Sequence, residues 1–214
     1  NPLDYLTCLK SLIAKIVSQV GIENYLIKAI GIDFTSCTMI PVDALFEPLM
    51  IKEEFAKNPN AYAKLWKSHS AFKEAAHITE VLEFHPYLDK YGQVISSEWL
   101  LPKLLELKND ALDVYSKTIY YMEAGDWLVS RLTNHLIRSN CMAGFKGLWQ
   151  KDGGFLKRED LLAIDEDFTD LYSTKLAGEV LPAGTKAGYL TKQQGKLLGL
   201  HEDVVVAVPI IDAH

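Results

Sequence analysis

The feature that most constrains this chain is an apolar run close to its carboxyl end. Residues 204–211 form this run, and Asp212 follows directly. A short run of β-branched residues with polar borders predicts a buried β-strand. Open α/β sheets bind their ligands at the carboxyl ends of strands, so Asp212 lies where such folds place a reactive carboxylate. Because a buried strand is an unusual end for a domain, we expect the chain to be part of a larger protein.

Apolar patterns elsewhere predict helices that alternate with strands. Helices are predicted over residues 3–20, 61–82, 96–108, 126–133 and 191–198, with shorter helical pieces in 158–175. Strands are predicted over 27–34, 39–42, 119–122 and 204–211, a turn over 43–48, a loop over 182–189 and irregular backbone over 138–149. Alternation of this kind is typical of the α/β class.

The composition of the chain limits the kinds of molecule that it is expected to bind. The chain has 214 residues and a net charge of −6, and its Lys and Arg residues form no cluster, which argues against a nucleic-acid partner. It has no apolar stretch long enough to span a membrane and no signal-peptide pattern. Cys8, Cys37 and Cys141 lie far apart, which predicts reduced, buried thiols in a cytoplasmic protein. Its six histidines show no metal-binding spacing, so no metal site is predicted.

The predicted strand over residues 27–34 leads into a turn that is rich in hydroxyl groups. This turn contains Ser36 and Cys37 between two threonines. Small residues there would let backbone amides approach a polar ligand closely. The alternative is a plain hairpin with a structural Asp33, and spacing alone favours that alternative. Neither of the common glycine-rich phosphate loops is found in the sequence.

Two further segments combine aromatic and polar residues. Trp66 and His69 flank Lys67 and lie three apart in a predicted helix, so they share a face. An indole beside hydrogen-bonding groups suits a sugar, although a helix with Trp66 in the core explains the pattern equally well. Lys146 lies among Gly, Ala and aromatic residues. It is either a positive group in a cleft or an exposed loop lysine.

Seven ordered segments of the chain resemble a known family. They read GIDFTSCTMIPVD, AYAKLWKSHSA, SSEWLLPKLLEL, MEAGDWLVSRLT, RSNCMAGFKGLW, GTKAGYLT and the closing DAH. Together they are similar to the amino-terminal half of the FGGY carbohydrate kinases, most closely the L-ribulokinases. The resemblance covers essentially the whole chain.

This resemblance implies an actin-like, ribonuclease-H-like α/β kinase fold. Residues 1–214 would be most of the sugar-binding amino-terminal domain, without its opening β-hairpin and without the carboxyl-terminal nucleotide domain. ATP and Mg²⁺ would bind mainly to those other parts, so we expect the 214-residue chain alone to be inactive. We also expect the isolated chain to form a homo-oligomer, because loss of the hairpin and of the part after residues 204–211 would leave strand edges or an apolar face uncovered. The expected contact uses strand 27–34, strand 204–211 or the amino-terminal helix.

The implied reaction is ATP-dependent phosphorylation of L-ribulose to L-ribulose 5-phosphate in L-arabinose catabolism. Related FGGY kinases act on D-ribulose or xylulose, and a non-catalytic sugar-binding module is a further alternative. By resemblance, Asp212 is the general base, and Lys146 contacts the ketopentose. The remaining implied residues are Ser36 and Cys37, whose backbone touches the sugar; Trp66, Lys67, His69 and Glu98, which border the pocket; and Asp126 and Trp127, which are structural. Pro209 and Ile210 replace a Gly-Asn pair that is more common in ribulokinases.

Overall fold

A computed structural model describes residues 1–21, 23 and 26–214. In that part of the chain the α-helices are α1 (Pro2–Val20), α2 (Phe72–Val81), α3 (Leu100–Asp110), α4 (Leu112–Lys117), α5 (Ala124–Thr133), α6 (Asn140–Lys146), α7 (Arg158–Ile164) and α8 (Lys192–Leu198). The strands are β1 (Ala29–Ile30), β2 (Asp33–Phe34), β3 (Met39–Val42), β4 (Tyr120–Glu123), β5 (Ile137–Ser139), β6 (Glu179–Leu181), β7 (Lys186–Tyr189), β8 (Val205–Ala207) and β9 (Ile210–Ile211). Short 3-10 helices cover Leu49–Ile51, Glu53–Phe55, Pro59–Ala61, Pro86–Tyr91, Glu166–Phe168 and Leu171–Ser173.

Two interrupted runs of strand form the parallel centre of the fold. β1 pairs with β8, and β2 pairs with β9, both in parallel. The two predicted strands are therefore present, but each is split into two short pieces. Pro209 lies at the break in the second run and has no backbone N–H to donate to the ladder. The N–H of Ile210 resumes the pairing by donating to Ile32 over 3.1 Å.

The other strands attach to this centre or form separate pairs. β7 lies antiparallel to β8, β3 pairs antiparallel with β4, and β5 pairs parallel with β6. Since β2 and β3 have different partners, the hairpin interpretation around Asp33 is wrong. The predicted loop over residues 182–189 is also partly wrong, because it contains β7. This strand has no apolar run, and its pairing with β8 defines it.

Helix α1 spans Pro2–Val20 and so confirms the helix predicted over residues 3–20. The Asn1 side chain accepts a hydrogen bond from the Leu3 N–H at 3.0 Å, and Gly21 ends the helix in the left-handed conformation with φ 66°. Cys8 lies on the exposed side of this helix, so the prediction of a buried thiol is wrong for it. Cys37 is buried and Cys141 is partly buried, and all three are free.

The long helix predicted over residues 61–82 is wrong in its first half, because only α2 is helical. The backbone N–H and C=O of Lys64 both pair with Met39, at 2.8 and 2.9 Å. The N–H of Trp66 is held by the hydroxyl of Thr38 at 3.2 Å. Distant partners thus take the backbone groups that a helix would need, and tertiary contacts override the helical pattern.

The irregular backbone predicted over residues 138–149 is also wrong, since it contains β5 and α6. The Ser139 side chain begins α6 by accepting the N–H of Cys141 at 3.2 Å. Small residues let this helix pack closely on α5. A Cβ added to Gly125 of α5 would lie 2.4 Å from the terminal methyl group of Met142, so a larger residue there would displace the Met142 side chain.

Helix α3 is deeply buried, with Leu100 through Leu107 all buried. It begins four residues later than predicted. The Ser96 hydroxyl accepts the N–H of Glu98 at 3.3 Å and so stabilises a turn before the helix. The core around α3 also takes in α2, α4 and α7, and two smaller apolar clusters cover the strands. None of the described helices is long and apolar enough to cross a membrane.

Candidate functional site

The end of β9 and the end of β2 lie side by side. The backbone N–H of Asp212 donates to the carbonyl oxygen of Phe34 at 3.1 Å. Phe34 leads directly into residues 35–38, which we call the 35–38 turn. The carboxyl ends of parallel strands meet at one edge of a sheet. The structure therefore brings the exposed Asp212 beside the predicted Ser36 and Cys37.

The 35–38 turn is held rigidly. The hydroxyls of Thr35 and Thr38 share a hydrogen bond of 2.7 Å. Cys37 has a left-handed φ of 63°, and its N–H donates to the Glu123 carboxylate at 2.5 Å. Burial raises the pKa of the Cys37 thiol to about 12, so this thiol stays protonated and is no nucleophile. The buried Ser36 hydroxyl has no hydrogen-bond partner within the described residues.

A second group of predicted residues surrounds Lys146. Its ammonium donates to Glu98 Oε2 at 2.7 Å and lies 5.7 Å from the centre of the Trp66 ring. His69 Nε2 lies 3.4 Å from the other oxygen of Glu98. The hydrogen bond from Lys146 is the first cause of a lowered Glu98 pKa, which favours the carboxylate. Lys146 is only 9% exposed, so the alternative of an exposed loop lysine is wrong.

Trp66 and His69 reach this group from a non-helical segment and not from the predicted helix. Neither lies in a helix, so the argument that they share a helical face is wrong. Trp66 is 43% exposed, which also rules out its placement in the core. The segment after β3 instead turns both side chains toward the start of α3 and the end of α6.

Helix α6 connects the Lys146 group with Asp212. The helix carries Phe145 beside Lys146, whose ammonium lies 5.8 Å from the Phe145 ring centre. The Phe145 ring also contacts His214. Their ring centres lie 5.6 Å apart in a T-shaped arrangement. Cys141 Sγ also lies 3.1 Å from His214 Nδ1. Phe145 therefore contacts both Lys146 and His214, which lies two residues after Asp212.

Buried hydrogen bonds hold α6 and β9 in this arrangement. The Asp126 carboxylate accepts the N–H of Ser139 at 2.8 Å. The Ser139 hydroxyl in turn donates to the carbonyl oxygen of Pro209 at 2.7 Å, three residues before Asp212. Trp127 is fully buried and donates to the Phe46 carbonyl at 2.9 Å. These contacts agree with the structural roles expected of Asp126 and Trp127.

Three ionisable side chains are buried together under the site. Burial, followed by the charge of Glu123, raises the pKa of Asp126 to about 8. Burial also raises the pKa of Glu123, and the Arg138 guanidinium opposes that rise. Arg138 donates to the Ala177 carbonyl at 3.1 Å. The raised pKa of Asp126 favours its protonated form, so the cluster tends to carry less charge than its composition implies.

Lys67 is the predicted residue that the structure places apart from this group. Its exposed side chain lines a separate surface cavity of about 400 Å³ with Pro59, Tyr62 and Leu107. Three residues near the site, Thr38, Glu123 and Phe145, were not predicted from the sequence. Two of them carried a readable signal, because Thr38 ends the hydroxyl-rich turn and Glu123 follows a predicted strand. Phe145 carried none beyond its position next to Lys146.

The described residues do not fit a metal ion by themselves. No group of three or more His, Cys, Asp or Glu side chains within the described ranges is placed to hold one. The arrangement instead offers a carboxylate, an ammonium and an exposed indole face. Such a set suits a small, oxygen-rich molecule that binds by hydrogen bonds and by stacking on an aromatic ring.

Comparison with known proteins agrees with this chemistry. The profile of the FGGY family of carbohydrate kinases, N-terminal domain, matches residues 1–214. The chain belongs to the FGGY family. This membership confirms the resemblance inferred from the seven sequence segments and confirms the α/β fold class.

Curated FGGY relatives align over the whole chain. The ribulokinase of Geobacillus thermodenitrificans is 39% identical over 216 residues, and the ribulokinase of Staphylococcus aureus strain MRSA252 is 41% identical over 217 residues. The alignments cover 100% of this chain but only 38% and 39% of those proteins. The chain thus spans well under half the length of these relatives.

Solved structures share the fold at low sequence identity. A xylulose kinase from Lactobacillus acidophilus matches with a TM-score of 0.75 at 16% identity, over 99% of this chain and 39% of its own. A glycerol kinase from Plasmodium falciparum, solved with ADP, matches with a TM-score of 0.76 at 15% identity. That match covers 100% of this chain and 40% of the glycerol kinase. These likenesses establish the FGGY fold.

Proposed function

We propose that this domain is the sugar-binding part of a kinase that phosphorylates L-ribulose at its terminal hydroxyl with ATP. The observation that carries the proposal is that the Trp66 N–H is held by Thr38, in the turn that follows Phe34, the backbone partner of Asp212. The ring of Trp66 in turn lies near Lys146, which Glu98 holds. The identity of 39–41% to proteins named ribulokinase supports L-ribulose as the sugar.

The Lys146 group fits a ketopentose. The exposed face of Trp66 packs against the apolar side of the sugar chain, while the Lys146 ammonium donates to its oxygens. Glu98 already holds Lys146 and has a carboxylate oxygen facing His69, so it orients both side chains. The Ser36 hydroxyl and the backbone of the 35–38 turn add further hydrogen-bonding groups.

Asp212 is suited to accept the proton of the attacking hydroxyl. In the proposed reaction a bond forms between the terminal sugar oxygen and the γ-phosphorus of ATP, and the bond from that phosphorus to the bridging oxygen of ADP breaks. The hydroxyl proton passes to the Asp212 carboxylate. Phosphoryl transfer depends mainly on positioning, so the backbone tie of Asp212 to Phe34 contributes to catalysis by fixing the base.

ATP and Mg²⁺ are expected to bind mainly to other parts of the protein. A magnesium ion would neutralise charge on the transferring phosphate. None of the roles that we assign to residues of this chain depends on where that ion binds. Those roles are to bind and orient the sugar and to take up its proton.

A coupled assay of ADP release by the full-length gene product tests the proposal. L-ribulose, D-ribulose, D-xylulose and glycerol would be compared as substrates, and we expect the highest kcat/KM for L-ribulose. A preference for D-xylulose would overturn the choice of sugar and retain the kinase. No ADP release with any of them, combined with a thermal shift on adding L-ribulose, would favour a sugar-binding module instead.

A further inference from the structure

Helix α3 carries a buried cation that the reaction outlined above does not use. Lys103 is 0% exposed, although lysine is almost never fully buried without a compensating partner. Burial is the first cause of its lowered pKa, and the charge of Lys146 lowers that pKa further. The nearby charges of Glu123 and Glu98 act in the opposite direction. A cation in this position requires a compensating set of contacts.

Backbone carbonyls provide that set. The Lys103 ammonium donates to the carbonyl oxygens of Cys37 at 2.9 Å, Leu65 at 3.0 Å and Trp66 at 3.4 Å. An ammonium has three N–H donors, so these three acceptors satisfy it fully. Hydrogen bonds from an ionised donor are roughly twice as strong as neutral ones, which offsets part of the cost of burial.

All three carbonyls belong to segments that border the proposed sugar site. Cys37 lies in the 35–38 turn, and the other two follow Lys64, whose backbone pairs with Met39. The N–H of Trp66 is held by the Thr38 hydroxyl. Trp66 is therefore fixed by its N–H and by its C=O, and the two segments are joined to each other and to α3.

We propose that Lys103 is a positioning residue of the sugar site, a role that rests on the proposed sugar-kinase function. It fixes the Trp66 ring and the 35–38 turn relative to the start of α3, where Glu98 holds Lys146. One helix thereby sets the spacing between the indole face, the Lys146 ammonium and the amides of the turn. Lys103 touches no substrate and acts through these groups.

The test compares Lys103→Met with Lys175→Met. Lys175 is a matched control because its half-buried ammonium also donates to two backbone carbonyls, those of Tyr115 at 2.8 Å and Thr118 at 2.7 Å. Neither of these carbonyls borders the site. Each variant loses a lysine whose ammonium donates to backbone carbonyls, so both are expected to lower Tm. Only Lys103→Met is expected to change the site.

Steady-state kinetics give the first readout in the full-length protein. Lys103→Met should raise the KM for L-ribulose about ten-fold or more, since small displacements of positioning groups are costly, and should leave the KM for ATP unchanged. Lys175→Met should leave both values within about two-fold of wild type, the scatter usual for changes away from a site. Equal sugar KM values in the two variants would overturn the proposal.

Thiol labelling gives a second readout that needs no substrate. N-ethylmaleimide, followed by mass spectrometry, should label the exposed Cys8 in every form and should label the buried Cys37 only in Lys103→Met. Cys37 that stays unlabelled there would overturn the proposal. Because labelling is independent of turnover, it still decides the role of Lys103 if L-ribulose is not the substrate.

A second variant covers the case in which Lys103→Met does not fold. Thr38→Val keeps the shape of the side chain but removes the hydroxyl that holds the Trp66 N–H. It should raise the sugar KM and expose Cys37 in the same way, to a smaller extent. A Thr38→Val protein with wild-type sugar KM and unlabelled Cys37 would show that the site does not depend on these ties.

Discussion

The backbone N–H of Asp212 donates to the carbonyl oxygen of Phe34 at 3.1 Å, so the end of one parallel run is pinned to the end of its neighbour. This bond places the backbone of Asp212 next to the 35–38 turn, and Asp212 itself is exposed. The Ser139 hydroxyl also holds this run by donating to the carbonyl oxygen of Pro209. A base that is held by the main chain on one side and free on the other is suited to meet a substrate hydroxyl.

Replacing Asp212 tests its role as the base. In the full-length protein, Asp212→Asn should lower kcat by roughly 10²–10⁴, the usual contribution of a general base. The fold should hardly change, because the bond to Phe34 uses the backbone and not the side chain. Steady-state kinetics and a thermal melt measure the two effects separately.

Asp203→Asn is the matched control, since Asp203 is an exposed carboxylate just before β8 and pairs only with Lys28 and His201 among the described residues. It should retain wild-type kcat. Near-normal turnover in Asp212→Asn would show that another group takes the proton.

Lys146 is expected to act on sugar affinity. Lys146→Met keeps most of the apolar stem and removes the ammonium that donates to Glu98. Loss of a charged hydrogen-bonding group in a binding site should raise the KM for L-ribulose by about 10–100-fold. Kinetics at saturating ATP measure this change, and the exposed Lys151→Met serves as control. A changed KM for ATP with an unchanged KM for the sugar would contradict this role.

Part of this site was predictable because its signals are local. An apolar run that ends in an acid predicts a carboxylate at the edge of a sheet, and Asp212 lies there. Lys146 stood out by its small and aromatic neighbours. The choice of L-ribulose, in contrast, depended on resemblance, since no spacing in the chain distinguishes one ketose from another.

Other parts were not predictable because the decisive contacts join residues that are distant in sequence. The helical pattern around Trp66 fails because Thr38 and Lys103 take its backbone groups. The helix that carries Lys146 was missed because its small residues have low apolar periodicity, while its stability comes from the Ser139 cap and from packing on Gly125. Local propensity gives no information on either set of contacts.

The raised pKa of Asp126 predicts a dependence of stability on pH. In the folded chain Asp126 keeps its proton up to about pH 8, whereas its ordinary pKa is 3.8. The unfolded chain therefore releases a proton that the folded chain retains, and this lowers stability progressively as pH rises from about 4 to 8. Asp126→Asn has no such proton and keeps an oxygen that accepts the N–H of Ser139.

The Tm of Asp126→Asn minus that of wild type should accordingly increase between pH 5 and pH 8. Thermal melts at pH 5, 6.5 and 8 measure this difference. The Tm of Asp203→Asn minus that of wild type should stay nearly constant over the same pH range, because Asp203 is an exposed acid. A constant difference for Asp126→Asn as well would mean that Asp126 is ionised in the folded chain across this range.

Self-association of the 214-residue chain stays a prediction, and the structure indicates helix α1 as the surface at which to test it. The two strand runs considered as contact sites pair with each other. Helix α1 instead presents Leu12, Ile16 and Val20 to solvent, 51%, 50% and 63% exposed, at a spacing of four residues along one face. Exposed apolar stripes of this kind recruit other chains, so we expect a dimer or larger species in light scattering.

The double variant Leu12→Lys with Ile16→Lys should shift the chain toward monomer, because lysines on this stripe oppose burial. Ser11→Lys with Ser18→Lys adds the same charge to exposed positions of α1 beside the stripe and should leave the association intact. If both double variants dissociate equally, added charge and not the stripe controls association, and a wild-type chain that is monomeric at high concentration would remove the prediction altogether.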